Sequence, residues 1–166
     1  MFVLVTGVGG REEPRLAAVA IVRPGSEARV KLDLLDALYP HDTSVRVEVY
    51  SGALAIFSRL KPGEVRALAE RYPIRGLTAV REAAEVACDA DPRAAIEALL
   101  RRVAEKGLKF ARVEVRTRGS LRGRDAEQLV KRIVRELRLL DKLGAKARIE
   151  VLGRYAVLCI LSKSKR

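Results

Sequence analysis

Apolar and polar positions along the chain follow two different periods. Over residues 45–50, Val45, Val47 and Val49 alternate with Arg46, Glu48 and Tyr50, the two-residue period of a strand with one solvated face. Ser51-Gly52 makes a short hairpin connection into a second apolar run, 53–60. Helical stretches flank this pair. Ser26 can cap a helix to about Tyr39 with Val30, Leu32, Leu34, Leu35 and Leu38 as its apolar residues, and Pro40 stops it. Pro62 opens another through Tyr72, and a further strand is predicted over 76–81. At the amino end, residues 2–6 (FVLVT) read as a buried strand ended by Gly7, Gly9 and Gly10. The stretch 11–25 is ambiguous: 16–22 is apolar and Pro24-Gly25 closes it as a turn. The order β-α-β-β-α-β over residues 1–85 is the ferredoxin-like arrangement, a four-stranded antiparallel sheet with two helices on one face.

Residues 86–91 (VACDAD) read as a boundary, giving two units, 1–85 and 86–166. Asp91-Pro92 is an N-cap and N1 pair for a helix carrying Ile96, Leu99, Leu100 and Val103, ended by Gly107. Strand 110–118 sets Ala111, Val113 and Val115 against Arg112, Glu114, Arg116 and Arg118. After the turn 119–123, Asp125 begins a helix expected to reach Leu143, with Leu129, Ile133, Val134, Leu137 and Leu140 as its core stripe. Strand 146–152 alternates, whereas 155–161 (YAVLCIL) is continuously apolar, as a central strand would be. The second unit therefore reads α-β-α-β-β, and the fold class is α+β.

Composition changes this picture in one respect above all. The chain of 166 residues carries a formal charge of +12, with 33 Lys and Arg against 21 Asp and Glu. Residues 1–106 are close to neutral at +1, while 107–166 hold +11. An excess confined to one unit marks an electrostatic face, and polyanions are its natural partner. Chain length suffices to bury a core without disulfides or metals. No run approaches the roughly 20 apolar residues that cross a bilayer, and the amino end has no signal-peptide pattern. Cys88 and Cys159 read as free thiols in a reducing cytoplasm. The absence of Asn, a single Gln and a lone initiator Met, beside abundant charge, form a thermophile pattern.

Catalytic chemistry has no visible seat in the sequence. His41, the sole histidine, stands beside Asp42 in a Pro-His-Asp turn with no nucleophile near it, and reads as surface. No cysteine or histidine pair has metal-ligand spacing. Gly7-x-Gly9 after a strand lacks the third glycine of a dinucleotide fingerprint, and there is no phosphate-binding loop of the Walker type.

The organised pattern is basic. Gln128, Lys131, Arg135, Arg138 and Lys142 recur at spacings of three, four, three and four, one face of the helix expected from Asp125. Arg132 lies beside that face. Upstream, the turn supplies Arg122 and Arg124, and the strand supplies Arg112, Arg116 and Arg118. A glycine-containing turn entering a helix also favours phosphate. Few acids balance this set, which favours a phosphate-backbone site over an ordinary solvated surface. Helix-turn-helix and zinc-finger patterns are absent, and three Phe and four Tyr are too few for base stacking to dominate. Folded RNA read by shape and phosphate suits the composition.

These segments resemble the THUMP-domain RNA-binding proteins, in particular their stand-alone archaeal and eukaryotic type. The resemblance runs through YSGALAIFSRLKPGEVRALAERYPI (50–74) in the first unit, and FARVEVRTRG (110–119) and ARIEVLGRYAVLCI (147–160) in the second. One departure is Leu143-Gly144-Ala145-Lys146, where the family often has Pro-Asp. The resemblance implies a ferredoxin-like domain followed by a THUMP domain that grips the acceptor stem and 3′ end of tRNA. It further implies a non-catalytic adaptor, without cofactor or metal, that presents tRNA to a separate cytidine N-acetyltransferase. The alternatives are a protein of ribosomal RNA or ribosome assembly, and a tRNA-modifying enzyme with a site around Gly7–Gly10 and His41.

Overall fold

The apolar stretch that fits helix or strand equally is a strand, β1 (Arg15–Val22), in the computed structural model, which describes residues 13–161. It sits between β3 (Ala53–Ser58) and β4 (Leu77–Glu82), with β2 (Arg46–Tyr50) outside β3 and every pairing antiparallel. A strand with neighbours on both sides and layers on both faces is apolar throughout, so it shows no two-residue period. The strand expected at 2–6 lies outside the described residues. The β-α-β-β-α-β order stands, with Arg15–Val22 as its first strand. Helices α1 (Glu27–Leu38) and α2 (Pro62–Glu70) cover one face of this sheet. Val30, Leu34, Leu38 and Val65 pack there against Ala18, Ala20, Leu54 and Ile56.

The segment expected as a boundary is structured. Residues Glu85–Cys88 form β5, which pairs antiparallel with β8 (Tyr155–Leu161) and edges a second sheet. Four residues are too few to show a period, and Cys88 is exposed because β5 is an edge strand. The sheet runs β5-β8-β7-β6, with β7 (Ala145–Leu152) antiparallel to β8 and parallel to β6 (Phe110–Arg118). Helices α3 (Pro92–Glu105) and α4 (Gly123–Glu136) cover its outer face. As the sequence implied, Asp91 caps α3, its side chain accepting from the Arg93 N–H at 3.0 Å, and β8 is central. Cys159 on β8 is fully buried, and that burial pushes its thiol up to about 12.

The two sheets meet back to back. Leu16, Val19, Ala53, Ala55 and Phe57 of the first face Leu152, Val157 and Cys159 of the second. Phe57 and Tyr155 meet edge to face, their ring centroids 5.4 Å apart. The described residues are thus layered helix, sheet, sheet, helix, an α+β fold with two four-stranded sheets and four helices among them. One polar residue missed in the sequence helps to close the first unit. Asp42 is buried, its carboxylate accepting from Ser44 N–H and Oγ, Ser58 Oγ and Arg59 N–H. The neighbouring His41 is exposed.

Candidate nucleic-acid interface

Apart from a single bridge from Phe110 to Leu140, strand β6 pairs with β7 and leaves the rest of its other edge open among the described residues, and α4 packs beside it. Between them runs a groove of about 970 Å³. Its floor is apolar, formed by Val113 and Val115 of β6, Val130 and Val134 of α4, and Leu140. Lys131, Arg135 and Arg138 line the helix side, and Arg112, Arg116 and Arg148 the sheet side. Strand alternation explains the arrangement. Odd residues of β6 face α4, while even ones carry the charges. Helical spacing turns Val130 and Val134 inward and leaves Lys131 and Arg135 exposed.

The groove's electrostatics follow from who is paired. Arg148 holds Glu114 through Nη2 at 2.9 Å and Nε at 3.3 Å, and Arg112 lies 3.4 Å from the same carboxylate. The hydrogen bonds from Arg148 outweigh burial and hold the Glu114 carboxyl below its ordinary range. Arg116, Lys131, Arg135 and Arg138 are exposed and have no ion pair among the described residues. They leave the groove cationic, with Glu127 as a further acid in its lining.

Helix α4 is shorter than its sequence suggests. It ends at Glu136, and Arg138 takes φ +52°, unique among the described residues other than glycine in having positive φ. Arg138 N–H donates to Arg135 O at 3.2 Å and Leu139 N–H to Val134 O at 3.0 Å, with Leu139 buried. This is a Schellman ending with arginine where glycine is usual. The expected five-residue stripe therefore breaks. Gln128, Lys131 and Arg135 ride the helix, Arg138 lies past its end, and Lys142 stands exposed in the following turn, outside the groove. Leu140 is not a helix core residue but pairs with Phe110.

Of the ten arginines and lysines singled out from sequence, Arg112, Arg116, Lys131, Arg135 and Arg138 are brought together in the groove. Arg122 is the N-cap of α4 and Arg124 lies in its first turn; both are exposed and outside the lining. Arg132 points elsewhere on the helix, 3.9 Å from Glu136. Arg118 turns inward, toward the first sheet. Arg148 was not foreseen. Its strand parity was legible, but its place opposite Glu114 depends on the parallel pairing of β6 with β7. No cluster of metal-binding side chains occurs among the described residues, and no helix there is long and apolar enough to cross a membrane.

No protein-family model and no curated protein matches the sequence. A solved structure shares the fold. PH1313 from Pyrococcus horikoshii Ot3 aligns over 87% of this chain and 54% of its own, with TM-score 0.53 and 13% identity. A predicted N6-adenine-specific DNA methylase from Listeria monocytogenes aligns over 87% of this chain and 40% of its own (TM-score 0.48, 18% identity). A 4-thiouridine synthetase, solved with RNA and ATP, aligns over 88% and 41% (TM-score 0.45, 12% identity). This chain thus spans about two-fifths to one-half of the length of these proteins. The expectation of a non-catalytic protein is corrected by the same comparison: the structures resembling this one include proteins described as methylases and a putative methyltransferase. That expectation is withdrawn.

Proposed function

We propose that the groove between β6 and α4 binds the phosphate backbone of folded RNA, with tRNA as the RNA class, as a THUMP-type recognition module serving RNA modification. The observation that carries this reading is the set of four unpaired cations, Arg116, Lys131, Arg135 and Arg138, along one open groove. Counterions released from RNA by such a set supply affinity that falls steeply with salt. The apolar floor between the cationic walls adds a surface on which unpaired bases can lie, which suits the acceptor stem and 3′ end of tRNA.

Anisotropy titration of a tRNA transcript, an acceptor-stem minihelix with its 3′ overhang and a ribosomal RNA fragment, at one fixed salt concentration, tests the proposal. The tRNA is expected to bind most tightly and the minihelix to retain most of that affinity. Equal binding of the ribosomal fragment would replace tRNA by ribosomal RNA as the ligand. Absence of salt-dependent binding would end the reading.

Arg138 provides a separate check, because its backbone and its side chain act in opposite directions. Arg138→Gly relieves the left-handed conformation and is expected to stabilise the fold by about 0.5–1 kcal/mol. The loss of a phosphate contact should at the same time lower the salt slope of log K by about 0.7–0.9. Urea denaturation and a salt titration read the two effects independently.

A further inference from the structure

The layer between the two sheets is largely apolar, and among the charged side chains that enter it are Arg118 and Glu150, with Arg81 of β4 and Arg148 of β7 close by. Glu150 on β7 is wholly buried, and Arg118 Nε lies 3.5 Å from its Oε2. Arg118 Nη1 also donates to the carbonyl of Ser51, at 2.9 Å, in the hairpin turn between β2 and β3. The turn is shaped to admit this guanidinium: Gly52 has φ +72°, and a Cβ there would stand 2.8 Å from Arg118 Nη1. One arginine at the end of β6 thus reaches both the neighbouring strand and the other sheet.

The position of β6 makes this contact consequential. Beyond Phe110, which bridges to Leu140 and is followed by a register shift, β6 is an edge strand hydrogen-bonded on one side, and its even face from there on carries Arg112, Glu114, Arg116 and Arg118 with no apolar side chain. No apolar contact therefore anchors that face. Its inward ties are Glu114–Arg148 and Arg118–Glu150. Apolar layers are non-directional, whereas a buried ion pair tolerates few geometries.

We propose that Arg118 is a positioning residue: by fastening the end of β6 to Glu150 and Ser51, it holds the sheet-side wall of the groove and the turn leading to α4 without itself touching RNA. The inference rests on the RNA-binding reading above and deepens it. It also gives Arg118 a role distinct from that of Arg116, two residues earlier on the same face.

The salt slope separates the two roles. Arg118→Lys keeps a positive charge near Glu150 but loses the planar fork that spans Ser51 and Glu150. With a tRNA transcript it should weaken binding by about tenfold through loss of preorganisation, while the slope of log K against log salt stays at the wild-type value. Arg116→Lys serves as comparison, and Arg116→Gln should lower that slope by about 0.7–0.9. Arg118→Met strips Glu150 of its counter-charge; if it fails to fold, Arg118→Lys decides alone. A fall in slope for Arg118→Met, folded, would make Arg118 a phosphate contact and overturn the proposal. Unchanged affinity in Arg118→Lys, with an unchanged melting temperature, would overturn it as well. If the wild-type protein binds no tRNA, the functional reading fails first, which is a different result from either.

Discussion

Replacing Lys131 and Arg135 together by glutamate is expected to lower tRNA affinity on the order of a hundredfold at about 0.1 M salt. The two side chains stand four residues apart on the exposed face of α4, both in the groove lining and both without an ion pair among the described residues. Each lost phosphate contact removes about 0.7–0.9 from the salt slope, so the pair should remove about 1.4–1.8. Repulsion between the new carboxylates and the phosphates adds a further loss, largest at low salt. Stability should change little, by about 0.5 kcal/mol per site, because neither side chain enters the core. Arg29→Glu with Arg75→Glu, at exposed sites of the first unit, makes the same change in net charge. That control should cost a small fraction of the affinity. Equal losses from both pairs, with unchanged melting, would mean that diffuse charge rather than the groove attracts the RNA.

The predicted contrast depends on structure that the sequence disclosed unevenly. Strand β8 and the start of α3 were legible because each has a local cause: continuous apolar residues in one case, an Asp-Pro cap in the other. The end of α4 had no such cause. Its helical spacing continues through Arg138 and Lys142 with no glycine before Gly144; the helix is stopped by the bonds of Arg138 and Leu139 back to Arg135 and Val134 together with the pairing of residues 139–141 to Phe110. Strand β1 was ambiguous because both of its faces are covered, and β5 was too short to show a period.

The groove itself was half legible. Residue type and spacing found Lys131 and Arg135, and strand parity found Arg112 and Arg116. Parity could not separate Arg118 from Arg116, since both lie on the even face of β6. What separates them is the first sheet's hairpin, which receives Arg118. Arg148 likewise needs the pairing of β6 with β7, a contact between residues more than thirty positions apart. Local pattern thus located the charges, while long-range pairing decided which of them face outward.

Asp42→Ala is expected to destabilise the protein by about 3 kcal/mol, the largest single loss of stability predicted for a polar residue here. The carboxylate is buried and accepts four hydrogen bonds, at 2.9 Å from Ser44 N–H, 2.5 Å from Ser44 Oγ, 2.7 Å from Ser58 Oγ and 2.8 Å from Arg59 N–H. These join the turn after α1 to the end of β3, so their loss leaves donors of two elements without partners. Burial alone would raise the Asp42 pKa; the bonds from Ser44, Arg59 and Ser58 outweigh it and hold the carboxyl well below its usual range. In the unfolded chain an aspartate titrates near about 3.9. Because the folded value is the lower one, Asp42 stabilises fully above the unfolded pKa. That contribution drains as pH falls through the interval toward the folded value. Glu150 has the opposite sign: burial raises its pKa despite Arg118 and Arg148, so its contribution is lost as pH rises. Comparing wild type with Asp42→Asn cancels the Glu150 part, since Glu150 is common to both. Urea denaturation should therefore show a stability gap between them that is constant from about pH 5 to 7 and narrows below about pH 4. A gap independent of pH would mean that Asp42 acts through shape rather than charge. The salt slope of tRNA binding, measured well below the melting temperature, should be the same for both proteins, because Asp42 lies in the first unit, outside the groove lining.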